Sequence, residues 1–164
     1  MANGTQKLVG IVGVAAAATL LAYVPLKESG PKGPVLAPYT DAVGVRTVCD
    51  GITKNVQERR YTKEECEALL ADELAFHAEG AMKCVKAPTT PGQRAAYTSL
   101  AYNIGINAFC KSSLVKKHNS GDYRGACVGI LAWDKGMIGG QLVALPGLTI
   151  RRREERVMCE KGLP

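Results

Sequence analysis

The stretch TDAVGVRTVCDGIT, residues 40–53, decides how the rest of the chain is read. β-Branched residues flank Gly44 and Asp50-Gly51 supplies a second turn signal, so with the preceding VLAPY it predicts a small β-hairpin. Asp41 and Thr47 lie six residues apart on it, followed by Cys49. A carboxylate and a hydroxyl held on a rigid ribbon suit the positioning of one small molecule, and they require a chemical partner elsewhere.

Upstream, residues 27–39 place four Pro or Gly residues within positions 30–34, which reads as a loop or hinge. Downstream, Thr62 and Glu65 form a capping-box pattern, and Leu69, Leu70, Leu74 and Phe76 then recur at helical spacing. KAPTTPGQ reads as a loop, and RAAYTSLAYNIG as an apolar helix ended by Gly105. Two shorter helices broken at residues 119–121 follow, then a Gly-rich loop and a basic helix from about Leu148. The whole predicts one small hairpin lobe followed mostly by helices, with room for one domain core.

LVGIVGVAAAATLLAYVPL, residues 8–26, carries no charge and is preceded by Lys7. Its length is near the roughly 20 residues that span a bilayer, and Lys7 favours a cytoplasmic amino end, so the remainder is expected to be exported. Residues 1–26 are therefore expected to be an N-terminal membrane segment and residues 27–164 the functional domain. A cleaved signal peptide is the rival reading, since residues 15–18 are all alanine. A buried core helix is disfavoured by the lack of a polar face.

The net charge of +6 suits a polyanionic partner: nucleic acid, anionic lipid or a bacterial cell wall. Six cysteines, Cys49, Cys66, Cys84, Cys110, Cys127 and Cys159, form no CxxC, and only two histidines are present, so a zinc site fits poorly. Three disulfides in an oxidising compartment are preferred to free thiols, with fifteen connectivities open.

Glycosidic hydrolysis needs a carboxylic acid to protonate the leaving oxygen and a second polar group to place water. Glu28, Asp41 and Thr47 supply such groups, although by spacing alone residues of this kind are more often solvated surface groups. APYTDAVGVRTVCDGIT, however, resembles the active-site hairpin of phage-type lysozymes, the muramidases of glycoside hydrolase family 24. That family shows a Glu, then Tyr-x-Asp, then Gly and Thr, matched here by Tyr39, Asp41, Gly44 and Thr47. YTKEECEALLADEL, SLAYNIG, FCKSSLVKKHNSGDYRGAC and GLTIRRREERVMCEKG extend the resemblance nearly to the carboxyl end.

The resemblance implies an α+β, lysozyme-like fold with a small β-hairpin lobe and a mainly helical lobe, preceded here by the apolar segment. It implies hydrolysis of the β-1,4 bond between N-acetylmuramic acid and N-acetylglucosamine of peptidoglycan, with inversion, by a monomer that uses no metal or cofactor and binds no nucleic acid. Glu28 becomes the general acid, Asp41 and Thr47 the water-handling pair, and Tyr39 and Asn103 substrate-binding candidates. Asn103 is equally readable as a helix-terminating residue. The weakly hydrophobic segment before Glu28 resembles the signal-arrest-release endolysins, which implies tethering to the host inner membrane facing the periplasm, then release. The segment has no cysteine, so collapse of the membrane potential is the implied trigger.

One departure stands out. The family usually places Glu-Gly nine residues before the Asp, where this chain has Lys32-Gly33. Either Glu28 is the acid and residues 30–34 carry an insertion, or Lys32 has replaced it in an inactive wall-binding protein. The order Lys27-Glu28-Ser29 favours Glu28. A membrane-active protein working through its apolar segment is a further alternative. Trp133 is expected in the core, residues 151–156 on a solvated basic helix face, and His77 and His118 as solvent-facing or packing residues. Cys49 is expected to pair with Cys66, and Cys127 with Cys159.

Overall fold

In the computed structural model, which describes residues 3–164, Asn3 and Gln6 cap each other's backbone to start α1 (Gly4–Val12). Gly13 then adopts φ +84°, a conformation that resists an L side chain, and divides the apolar stretch into α1 and α2 (Val14–Glu28). Leu8, Val12, Ala16, Leu20 and Val24 are buried against Leu70, Leu74 and Ala78 of α3 (Lys63–Cys84) and Ala95 of α4 (Pro91–Ile104). Gly4 approaches α3 so closely that a Cβ would lie 2.5 Å from the Asp72 backbone nitrogen. At the break, Arg94 of α4 donates from Nε to the Val12 carbonyl at 2.6 Å, satisfying a helix-end acceptor.

The disfavoured core-helix reading therefore describes this folded state. Among the described residues no helix is long and apolar enough to cross a membrane. The missing polar face has a simple cause: the exposed residues of α2 include Val14, Ala15, Ala18 and Leu26, and the Thr19 hydroxyl is turned back onto the Ala15 carbonyl.

A 3₁₀ turn (Gly30–Lys32) leads from α2 into β1 (Val35–Thr40), which pairs antiparallel with β2 (Arg46–Cys49). This is the expected hairpin lobe. The Thr62–Glu65 capping box starts α3 as expected, and Thr90 with Gln93 repeats the device at α4. After α4 come three short helices rather than two: α5 (Ile106–Lys111), α6 (Ser113–Asn119) and α7 (Tyr123–Gly129). They enclose a core of Tyr97, Leu100, Phe109, Leu114 and Ile130, against which Trp133 packs as expected.

The anticipated Gly-rich loop is instead a second hairpin, β3 (Lys135–Ile138) with β4 (Gln141–Ala144), turned by Gly139 and Gly140 at positive φ. Its Met137, Ile138 and Leu142 are all exposed, so no in-out alternation announced it. α8 (Pro146–Glu160) closes the domain. Phe76, expected on the apolar stripe of α3, is 54% exposed. Cystines join Cys49 to Cys66, Cys84 to Cys110 and Cys127 to Cys159, closing separations of 17, 26 and 32 residues. Loops of that size correspond to about 3–4 kcal/mol each.

His118 is fully buried, accepting from the Tyr97 hydroxyl at Nδ1 (3.0 Å) and donating from Nε2 to the Ala87 carbonyl (3.2 Å). Burial lowers its pKa, against the opposing pull of backbone acceptors. The unfolded chain thus binds the extra proton first, so this contribution to stability is intact above pH ~6.5 and is lost as pH falls. Thermal midpoints measured from pH 7.5 to 5 should fall less steeply in His118→Gln, which can keep both hydrogen bonds, than in the native chain. Parallel slopes would remove His118 as the source.

Candidate active site

The chemistry-bearing region is built where the last turn of α2 meets α8. Glu28, the final residue of α2, accepts at Oε1 from Arg151 Nη1 at 2.7 Å; the two side chains are 22% and 6% exposed. Arg151 donates from Nε to Glu155 Oε1 (3.2 Å), which also accepts from the Ser99 hydroxyl (2.6 Å). Arg152 Nε lies 2.9 Å from Glu155 Oε2. Two guanidinium groups and two carboxylates thus share one largely dry compartment. Burial works against the charge on Arg151, yet Glu28 and Glu155 outweigh it and raise its pKa. Burial also pushes the Glu155 carboxyl up, opposed by Arg152, Ser99 and Arg151. Protonating Glu155 would leave two buried cations facing one anion, so it stays ionised.

The expected solvated face at residues 151–156 is thereby corrected. Arg151, Arg152 and Glu155 are interior, and only the other side of α8 fits that description, with Arg153 exposed and Arg156 bonded to Glu160 at 2.9 Å. The sequence did hold a signal: an Arg-Arg pair with a Glu three and four residues on places all three groups on one helix face. Tyr23, also unforeseen, donates to Glu154 Oε2 (2.9 Å), and Lys27 approaches the same oxygen at 2.5 Å. Burial and the two glutamates push the Tyr23 phenol up, so it remains a donor.

Glu28 lines a cleft of about 370 Å³. Facing it are Tyr102 and Asn103 of α4, Glu73, Phe76 and His77 of α3, and residues 51–54 of the small lobe. Lys54 bridges Glu73 at 3.0 Å and lies 4.6 Å over the Phe76 ring. His77 donates from Nδ1 to the Glu73 carbonyl (2.8 Å) and packs edgewise on Tyr102. Asp50, at the end of the hairpin, accepts from Ser29 Oγ at 2.5 Å, which ties the small lobe to the residue beside Glu28. Burial raises the Asp50 carboxyl, against that hydrogen bond.

Asp41 turns the hairpin, its Oδ1 accepting from the amides of Val43 (3.0 Å) and Val45 (2.8 Å). The Thr47 hydroxyl lies 3.0 Å from the Val45 carbonyl and 3.4 Å from Asp41 Oδ2, and Tyr39 sits opposite Thr47 in the ladder. Glu28 and Asn103 share the cleft; Asp41, Thr47 and Tyr39 form a separate group on the hairpin, and none of them lines that cleft. Lys32, on an exposed turn, does not line it either. Among the described residues no group of three or more His, Cys, Asp or Glu side chains could hold a metal.

A family model described as phage lysozyme matches residues 31–155. The SAR-endolysin of Enterobacteria phage P21 is 39% identical over 152 residues, covering 92% of this chain and 90% of that protein. The endolysin of Escherichia coli O157:H7 phage FAHEc1 superposes with a TM-score of 0.75 at 28% identity, over 87% of this chain and 91% of the other. At the level of fold alone, the active form of P1 phage endolysin Lyz (22% identity, TM-score 0.74, 100% and 97% covered) is nearer than its secreted inactive form (20% identity, TM-score 0.54, 97% and 96% covered).

Removing one member of the buried quartet leaves the others uncompensated. Arg151→Met should lower unfolding free energy by about 3–5 kcal/mol in urea titrations. A loss below about 1 kcal/mol would show that this network does not hold α2 to α8.

Proposed function

The chain belongs to the phage lysozyme family, and from that premise we propose how its cleft works. It is a muramidase that hydrolyses the β-1,4 bond between N-acetylmuramic acid and N-acetylglucosamine in peptidoglycan, and as an endolysin it brings about host cell lysis. The observation that carries the assignment of roles is Glu28 on the cleft wall, with one carboxyl oxygen held by Arg151. Glu28 Oε2 is left to deliver a proton to the glycosidic oxygen. Asp41 and Thr47, on the hairpin outside that cleft, take the attacking water, so the substrate must reach from Glu28 to the hairpin, and attack from the side away from the acid gives inverted configuration. Tyr39 and Asn103 contact the sugars. Carboxylate chemistry of this kind needs no metal or cofactor.

Glu28→Gln keeps the shape and removes the proton. Reducing-end release from purified peptidoglycan should fall by about 10²–10⁴-fold. Undiminished turnover would move the acid away from Glu28.

The name of the phage P21 relative and the weak hydrophobicity of residues 8–26 support a second part of the reading. The protein is exported, held at the host inner membrane by this segment facing the periplasm, and then released. While the segment spans the bilayer, Glu28 stands apart from Arg151 and the cleft lacks its acid. On release, α1 and α2 fold onto α3 and α4 and bring Glu28 home. Deleting the segment would remove core residues, so leucine substitution at its solvent-exposed positions is the sharper probe. Ala15→Leu with Ala18→Leu makes membrane residence more favourable by roughly 1 kcal/mol while sparing the folded core. The doubly substituted protein should persist longer in the membrane fraction and delay lysis, with normal activity once soluble. Unchanged release would discard the tether.

A further inference from the structure

We propose that Glu155, itself fixed by Ser99, is a positioning residue that holds the Arg151 guanidinium against Glu28 and shares its positive charge. The proposal rests on the reading of Glu28 as general acid. Ser99 and Glu155 are completely buried and Arg151 is 5% exposed. The guanidinium is planar, and two of its edges are occupied: Nε by Glu155 at 3.2 Å and Nη1 by Glu28 at 2.7 Å. Fixing Nε fixes the plane, and so fixes where Glu28 Oε1 must sit. Glu155 is fixed in turn by the 2.6 Å bond from Ser99, a residue of the central helix α4.

Charge gives the arrangement a second consequence. An arginine facing a single carboxylate favours its ionised form, whereas a general acid must keep its proton until the bond breaks. Glu155 draws part of the Arg151 field onto itself, and Arg152 keeps Glu155 anionic. Across the cleft from Glu28 stand His77, Tyr102 and Lys54, the last paired with Glu73, and Asp50 lies beside it, bonded by Ser29. On α2, Tyr23 is a neutral donor engaged with Glu154, and Lys27 pairs with Glu154. The group on α4 that faces Glu155 is the Ser99 hydroxyl.

Glu155→Gln retains an acceptor oxygen and deletes the charge. Measured per folded molecule on purified peptidoglycan, kcat should fall ten- to about a hundredfold with little change in KM. Ser99→Ala keeps every charge and loosens only the pin, so kcat should drop about fivefold with KM unchanged. A native kcat in Glu155→Gln, or a loss confined to KM, overturns the proposal. Should Glu155→Gln fail to fold, native kcat in Ser99→Ala overturns it. Glu28→Gln run alongside separates the two ideas. If it is dead while Glu155→Gln is kinetically native, only the positioning role is lost; if it is active, the acid assignment fails and takes this proposal with it.

Discussion

The ion pair between Glu28 and Arg151 joins residues 123 positions apart and closes the chain on itself. It works as a constraint because neither partner has an inexpensive alternative. Arg151 lies in the interior beside Arg152, and with Glu155 the sole remaining carboxylate the pair would hold one buried cation in excess if Glu28 were absent. The amino-terminal helices must therefore dock for the carboxyl-terminal helix to be electrically complete. That requirement sets the end of α2, and with it Glu28, at the cleft beside the start of the small lobe.

The small lobe is tied to the same point from other directions. The Cys49–Cys66 cystine fastens the end of β2 to the first turns of α3, while Ser29 and Tyr102 both bond to Asp50, one through its side chain and one through its carbonyl. α3 in turn carries the far wall of the cleft and receives α1 on its other residues. A shift of the hairpin is thus resisted close to Glu28, and the cleft is bounded by elements that are mutually cross-linked.

Features with a local physical cause were legible in the sequence. The β1–β2 hairpin followed from turn residues between β-branched positions, and the start of α3 from a capping pair four residues long. Features set by distant contacts were not legible. Arg151, Arg152 and Glu155 look like an ordinary charged helix face until Glu28 and Ser99 arrive from elsewhere in the chain. Residues 8–26 carry an apolar pattern compatible with lipid and with a protein core, because alanine is tolerated by both and by water. The β3–β4 hairpin buries almost nothing and left no periodicity to read. Among site candidates, residue order singled out Glu28, which lines the cleft where Lys32 does not, but gave no sign of its anchoring partners.

The Gly13 break, with Arg94 bonded to the Val12 carbonyl, gives the amino-terminal segment a direction. In hydrocarbon every backbone carbonyl must find its partner within the helix, so an interrupted helix bonded to a guanidinium does not fit a bilayer as it stands. Return would require straightening the backbone at Gly13 and stripping away Arg94, while also withdrawing Glu28 from Arg151. For the release proposed above, the same few residues that end one helix and begin another would act as a ratchet, opposing the reverse step once the segment has folded onto α3 and α4.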